Sequence, residues 1–290
     1  MFPGSSPAPV PDASAAEPWF APALTAHPQL SHAVFDFDGT LSWLRHGWPE
    51  MMVGVLREQF SLFPGESERG LHDLLLREIL ALNGKSSIHQ MRRGAELALE
   101  RGGHAPDPEA LLGEYQRRLD AAIAKRTHAI LTGKAGREEF VVYGARPVLE
   151  RLDALGLRLF ILSGTRQDRV QAEARLLDLA RYFGPHIYGG TADVAQSDKR
   201  AVLERLLRQE GIPGSRLLAF GDGPVELRIT KELGGIAIGV ASDEHHNGSG
   251  KLNEPKRLQL LQAGADILLP DYRQPEVWLP RLLGQRAAGS

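Results

Sequence analysis

The spacing of apolar residues divides the chain into three stretches. Residues 31–38 are predicted to form a buried strand, because Ala33, Val34 and Phe35 make a short continuous apolar run. Between 50 and 142, apolar residues recur three and four positions apart, as in "GLHDLLLREILAL". That spacing predicts about four helices joined by short segments that contain Gly and Pro.

The third stretch begins near residue 143, where short apolar runs start to alternate with helical patterns. "LRLFILS", "RLLAFGD" and "IAIGVAS" are predicted strands, and an amphipathic stretch follows each of them. This alternation is typical of βαβ units, which assemble into a parallel sheet. We therefore predict an α/β fold, in which a helical segment is inserted into a parallel-sheet core directly after the first strand.

The same pattern gives the expected domain boundaries. They are an N-terminal tail over 1–30, a core formed by 31–41 and 143–290, and a helical cap domain over 42–142. The tail is rich in Pro, Ala and Ser and lacks Lys and Arg, so it is a poor signal peptide. We expect it to be flexible or to lie on the surface, with Trp19 and Phe20 attaching part of it.

The amino-acid composition mainly excludes certain kinds of site and partner. Apolar residues make up 42% of the chain, and the formal charge of −2 gives no general attraction to nucleic acid or anionic membranes. There is no cysteine, which excludes disulfides, thiolate metal sites and cysteine nucleophiles. No apolar run approaches the roughly 18–20 residues that span a bilayer. We expect a cytoplasmic protein with no nucleic-acid or membrane partner; the sequence does not indicate its oligomeric state.

Two aspartates stand at the end of the first strand, in "FDFDGT". Residues two apart in a strand point to the same side, so Asp36 and Asp38 are expected to face one cavity. Gly39 then permits a sharp exit from the strand. Two carboxylates side by side in a low-dielectric site repel each other and are costly to desolvate, so a cation is expected to hold them.

Other polar residues fall where ligands bind in open α/β sheets, at the carboxyl ends of strands. Ser163 ends one predicted strand, and Asp222 ends another, with Glu226 four residues on. Lys199 opens the helix between them. Together these groups suit phosphoryl transfer, in which a carboxylate attacks phosphorus and forms an acyl phosphate.

Each residue has a distinct expected role in that chemistry. Asp36 and Asp222 are the expected ligands of Mg²⁺, which favours hard oxygen ligands and phosphate. Lys199 and the hydroxyl of Ser163 would hold the phosphoryl oxygens. Asp38 would protonate the leaving alcohol and later deprotonate the attacking water.

In their order and spacing, "DFDGT", Ser163, Lys199 and "GDGPVE" resemble the motifs of the haloacid dehalogenase superfamily of phosphatases. The resemblance covers about 31–41 and 143–283. It implies a Rossmann-like parallel-sheet core with an inserted all-helical cap, as in the phosphoglycolate phosphatase-like branch.

The resemblance also implies roles for individual residues. The implied nucleophile is Asp36, the acid and base Asp38, the phosphate binders Ser163 and Lys199, and the metal ligands Asp36, Asp222 and the backbone carbonyl of Asp38. Glu226 stands where the family more commonly has Asp; we assign it to the metal site, through water, with pairing to Lys199 as the alternative. The dehalogenase branch lacks an aspartate two places after its nucleophile, so Asp38 favours phosphoryl transfer.

Substrate selection is expected to lie in the inserted segment. Arg45 and His46 follow the nucleophile loop, and Lys85 lies in "LNGKSSIHQM", which interrupts two helical runs. These three and Gly164, beside Ser163, are the expected substrate-binding residues, and linker packing is the alternative for Arg45 and His46.

The sequence therefore predicts a Mg²⁺-dependent phosphatase that hydrolyses a small phosphomonoester metabolite through an aspartyl phosphate on Asp36. One alternative is a β-phosphoglucomutase-like phosphomutase, which would hand the phosphoryl group to a second sugar hydroxyl. Another is a non-catalytic phospho-ligand-binding protein. The leaving group is open among sugar phosphates, phosphoglycolate and nucleotides.

Overall fold

The fold is described from a computed structural model of the chain, over residues 17–83, 86–190, 198–243 and 245–284. These residues form two compact units. The helical unit is Leu44–Arg137, and the core unit consists of the described residues up to Trp43 and from Glu138 onward.

In the core unit, the described residues form a sheet of seven strands. The strands are β1 (Trp19–Phe20), β2 (His32–Phe35), β3 (Arg158–Arg166), β4 (Ile187–Gly190), β5 (Leu217–Gly221), β6 (Ile236–Val240) and β7 (Ile267–Leu269). Their order is β1-β7-β6-β5-β2-β3-β4, and each neighbouring pair is parallel except β1 with β7. The predicted parallel sheet is thereby confirmed.

Strand β2 is interior to the sheet, with a parallel neighbour on each side. Phe35 is aligned with Ile161 of β3 and with Phe220 of β5. Every residue of β2 and β5 is buried, as expected for parallel strands covered on both faces. Phe35 and Phe220 stack with their ring centroids 4.3 Å apart. Polar residues that follow β2 and β5 therefore lie at the same edge of the sheet.

Helices account for most of the remaining described residues. Those of the helical unit are α1 (Trp48–Arg57), α2 (Glu68–Leu80), α3 (Ser87–Glu100) and α4 (Pro108–Leu131). Those of the core unit are α5 (Ala145–Ala154), α6 (Gln167–Leu176), α7 (Ala180–Phe183), α8 (Lys199–Glu210), α9 (Pro224–Glu232), α10 (Glu254–Gln262) and α11 (Pro275–Leu283). None of the described helices is both long enough and apolar enough to cross a lipid bilayer.

The helical unit has an apolar core of its own, to which α1, α2, α3 and α4 all contribute. Among its buried residues are Met52, Leu71, Met91 and Tyr115. Helices α1 and α3 pack closely, since a Cβ built on Gly94 would lie 2.9 Å from Leu56 Cδ1. The start of α2 is capped by Ser67, whose hydroxyl accepts from the Gly70 amide at 3.0 Å. The predicted helical insertion is confirmed.

Several strands differ in extent from the expectation. Strand β2 ends at Phe35 rather than at residue 38, so Asp36 and Asp38 lie in the loop after the strand and not on it. Trp19 and Phe20 attach their segment by pairing antiparallel with β7. A strand of two residues is too short to show the alternation by which strands are recognised in a sequence. Strand β3 runs on to Arg166 rather than ending at Ser163, with a register shift against β4 between Leu162 and Arg166.

Candidate active site

The loop after β2 carries both aspartates and turns sharply. The Asp36 amide donates to the Phe220 carbonyl at 2.9 Å, which extends the contact between β2 and β5 by one residue. The Ser42 amide then donates back to the Phe37 carbonyl at 2.8 Å. This turn holds Asp36 and Asp38 at the carboxyl edge of the parallel sheet.

Gly39 brings this loop against the residue that follows β5. Its φ is +76°, in the left-handed region that favours glycine. A Cβ built on Gly39 would also lie 2.7 Å from Asp222 Cγ, closer than real Cβ atoms approach. The position therefore requires glycine on two independent grounds, and the close approach places Asp222 beside the loop that carries Asp36.

Lys199 connects two of the acidic residues. It is the first residue of α8, and the side chain of the preceding residue, Asp198, caps the helix by accepting from the Arg200 amide. The Lys199 Nζ lies 3.2 Å from Asp36 Oδ1 and also donates to Glu226 Oε1. Lys199 is 9% exposed, and Glu226 Oε2 has no hydrogen-bond partner among the described residues. Glu226 thus makes the lysine contact that was considered as an alternative to metal binding.

Thr165 links Asp38 to Ser163. The Thr165 hydroxyl donates to Asp38 Oδ2 at 2.7 Å, and the Thr165 amide donates to the Ser163 hydroxyl at 3.0 Å. The Ser163 oxygen accepts in this contact, so its own O–H is a donor suited to a phosphoryl oxygen. The sequence analysis missed Thr165, although its place two residues after Ser163 on one strand was a usable signal.

Lys256 is a second lysine at the site and was also missed. Its Nζ lies 2.7 Å from Asp222 Oδ2, and Lys256 is only 4% exposed. In the sequence it appears as one more polar residue in the helical pattern "KRLQLLQ", so no local signal distinguishes it. The two buried lysines thus contact different carboxylates. Lys199 contacts Asp36 and Glu226, and Lys256 contacts Asp222.

Asp36 is less readily ionised than an ordinary aspartate. Burial raises the pKa of Asp36 to about 6 against the opposing effect of Lys199, and repulsion from Asp222 and Asp38 acts in the same direction as burial. Lys199 therefore does not fully offset the cost of a buried negative charge here. The repulsion among these three carboxylates would be reduced by an additional cation.

The sequence profile of haloacid dehalogenase-like hydrolases matches residues 30–234, well over half of the chain. The chain belongs to this family. The resemblance inferred from the four motifs is thereby confirmed, and the motifs from Asp36 to Glu226 all lie within the matched range.

Individual members of the hydrolase family share less than a third of their aligned residues with this chain. A phosphoglycolate phosphatase from Pseudomonas syringae pv. tomato is 27% identical over 169 residues, which cover 54% of this chain and 62% of that protein. The chain thus spans less than two thirds of the length of this curated relative.

Solved structures of the family share the fold at low identity. A conserved haloacid dehalogenase-like protein of unknown function from Agrobacterium tumefaciens has a TM-score of 0.61 and 17% identity, covering 86% of this chain and 97% of that one. A family hydrolase from Deinococcus radiodurans, with bound phosphate and sodium, has a TM-score of 0.59 and 19% identity. The match covers 90% of this chain and 100% of that one. These likenesses concern the fold alone.

The donor atoms at the site fit a hard divalent cation such as Mg²⁺. The carboxylates of Asp36 and Asp222 and the backbone carbonyl of Asp38 are oxygen donors. Within the described ranges, however, no three side chains of His, Cys, Asp or Glu form a preassembled metal-binding group. Lysines contact three of the predicted metal-binding carboxylates instead, Lys199 those of Asp36 and Glu226 and Lys256 that of Asp222. The predicted metal roles of Asp36, Asp38, Asp222 and Glu226 stay predictions.

The expected substrate-binding residues have different surroundings. Gly164 is exposed on β3, with open space where a Cβ would be. In the helical unit Arg45 is buried, and His46 Nε2 lies 3.3 Å from Arg126, a half-buried cation that the sequence analysis missed. Lys85 lies outside the described residues. Roles in substrate binding stay predictions for all of them.

We predict that Gly39→Ala destabilises the core unit more than a left-handed backbone alone would. Gly156→Ala is the matched control, because Gly156 has a φ of +80° with nothing within 4 Å of its built Cβ. The control should lose about 1–2 kcal/mol of unfolding free energy from backbone strain. Gly39→Ala should lose about 1–3 kcal/mol more, from overlap with Asp222. Urea unfolding measures both, and equal losses would contradict the close approach.

Proposed function

We propose that this protein is a divalent-metal-dependent phosphatase, which hydrolyses a small phosphomonoester through an aspartyl phosphate on Asp36. One observation carries the proposal: Asp36 lies 3.2 Å from the Lys199 ammonium, while Asp38, two residues on, is held by Thr165. A carboxylate that attacks an anionic phosphate ester needs a fixed cation nearby to reduce the repulsion between them, and a group that acts as acid and base needs a fixed orientation. Both requirements have support in these contacts.

In the first step, a carboxylate oxygen of Asp36 attacks phosphorus. The bond from phosphorus to the leaving oxygen breaks, and Asp38 in its protonated form gives that oxygen a proton, so that an alcohol departs. Lys199 and the Ser163 hydroxyl bind the non-bridging oxygens and stabilise the charge in the transition state. With a pKa of about 6, Asp36 is largely ionised at neutral pH and able to act as the nucleophile.

In the second step, the phosphoryl group passes to water. Asp38, now ionised, removes a proton from the water that attacks phosphorus, and the bond between phosphorus and Asp36 breaks. Inorganic phosphate leaves, and both carboxyl groups return to their starting states. Mg²⁺, held by Asp36, Asp222 and the Asp38 carbonyl, would supply positive charge that reduces repulsion between the phosphoryl group and the nucleophile.

The proposed substrate class is supported by a relative rather than by the geometry of the site. A protein named phosphoglycolate phosphatase aligns with this chain over 62% of its own length. This supports a small phosphorylated acid as the first substrate to test. We assign selection of the leaving group to Arg45, His46 and Lys85, which belong to the helical unit by their position in the chain.

Phosphate release from 2-phosphoglycolate and a panel of sugar phosphates and nucleotides tests the proposal. We expect Mg²⁺-dependent turnover of at least one of these compounds, and none in the presence of a chelator. Asp36→Asn should lower the turnover number by at least about a thousandfold, because the nucleophile is lost. Asp153→Asn, an exposed aspartate of α5, is the matched control and should retain full activity.

Three results would contradict the phosphatase proposal. Turnover that survives in Asp36→Asn would exclude the aspartyl phosphate. Isomerisation of a sugar phosphate with little net phosphate release would indicate the phosphomutase. Ligand-dependent thermal stabilisation without turnover in either assay would indicate a non-catalytic binding protein.

Thr165 is predicted to be a positioning residue that acts through Asp38. Thr165→Val removes the hydroxyl and should lower the turnover number by about tenfold or more, since a misplaced acid and base transfers protons less efficiently. Thr165→Ser keeps the hydroxyl and should recover most of the activity. Steady-state kinetics with a fixed substrate separates the two variants, and equal activity in Thr165→Val and wild type would exclude the role.

A further inference from the structure

Lys256 makes an ion pair with the carboxylate of Asp222, and both side chains are buried from solvent. The Nζ–Oδ2 distance is 2.7 Å, and the side chains are 5% and 9% exposed. The Lys256 ammonium also lies 5.8 Å from the centre of the Trp43 ring. A buried ammonium is costly unless it is paired, so Asp222 and the ring stabilise the charge of Lys256.

The position of Lys256 is fixed by the backbone around the start of α10. The Asn253 amide donates to the Ala241 carbonyl at 2.8 Å, just beyond β6, and Ser242 forms a bridge with Leu252. The Asn253 side chain then accepts from the Lys256 amide at 3.2 Å and caps the helix. The helix start is therefore tied to the sheet edge at which Asp222 lies.

This is an unfavourable place for a cation unless an anion faces it. Lys256 lies in the first turn of α10, where the helix dipole is positive and disfavours positive charge. The carboxylate of Asp222 supplies the compensating charge. A lysine held here is thus coupled to Asp222, which the proposed function uses as a metal ligand.

We propose that Lys256 is a tethered cation that competes with the divalent metal for Asp222, and this inference rests on the proposed function. The ammonium occupies one carboxylate oxygen, and its charge repels a divalent ion approaching the other. Lys256 therefore lowers the affinity for metal. It also stabilises the metal-free protein, because it neutralises Asp222 when no divalent ion is bound.

The test is Mn²⁺ binding to the full-length metal-free protein, measured by the electron paramagnetic resonance signal of unbound Mn²⁺. Lys256→Met keeps the length of the side chain and removes the charge. We expect its Kd for Mn²⁺ to fall roughly 10-fold or more, a change of about 1.4 kcal/mol per factor of ten. The metal-free variant should also melt at a lower temperature than wild type, and Mn²⁺ should raise that temperature by a larger amount.

Two further variants make the result specific. Lys256→Gln also removes the charge and should tighten Mn²⁺ binding in the same way, so the test needs only one of the two to fold. Lys231→Met is the matched control, because Lys231 pairs with Asp266 at 2.7 Å, and Asp266 precedes β7 at the opposite edge of the sheet. The control should leave the Kd for Mn²⁺ unchanged.

Unchanged or weaker Mn²⁺ binding in the Lys256 variants would overturn the proposal that Lys256 competes with the metal for Asp222. If wild type binds Mn²⁺ and releases phosphate in a metal-dependent way, that failure concerns Lys256 alone. If neither wild type nor the variants bind Mn²⁺, the metal-dependent function fails together with this inference.

Discussion

Buried negative charge at the carboxyl edge of the sheet is the constraint on which the candidate site depends. Asp36 and Asp222 follow adjacent strands, and Glu226 lies in the first turn of the next helix. Burial makes such charges costly, as the raised pKa of Asp36 shows. Two lysines from separate helices reduce that cost, Lys199 at the start of α8 and Lys256 at the start of α10.

The parallel sheet and the acidic residues were predictable because each depends on a local pattern. A buried strand followed by "DFDGT" predicts that Asp36 and Asp38 lie at the carboxyl edge of the sheet. The strand–loop–helix pattern around "GDGPVE" predicts the same for Asp222. Thr165 and Lys256 were not predicted, because their importance arises from contacts between residues far apart in the chain. Lys256, 34 residues after Asp222, could be connected with it only once the fold was known.

The reaction type is easier to assign than the substrate, because the two depend on residues in different parts of the chain. The residues proposed to act on the phosphoryl group all belong to the core unit, in which the strand ends bring them together. The residues expected to select the leaving group belong to the helical unit, apart from Gly164, and one of them, Lys85, lies outside the described residues. Family membership therefore supports a reaction type, whereas the leaving group has to be found by assay.

The aspartyl phosphate is the central claim, and chemical trapping tests it most directly. Wild-type protein turning over its best substrate is quenched with borohydride, which reduces an acyl phosphate to an alcohol, and the peptides are then sequenced by mass spectrometry. The account predicts homoserine in place of Asp36, dependent on substrate and absent at Asp38. Modification of another carboxylate, or none at Asp36 while phosphate is being released, would contradict it.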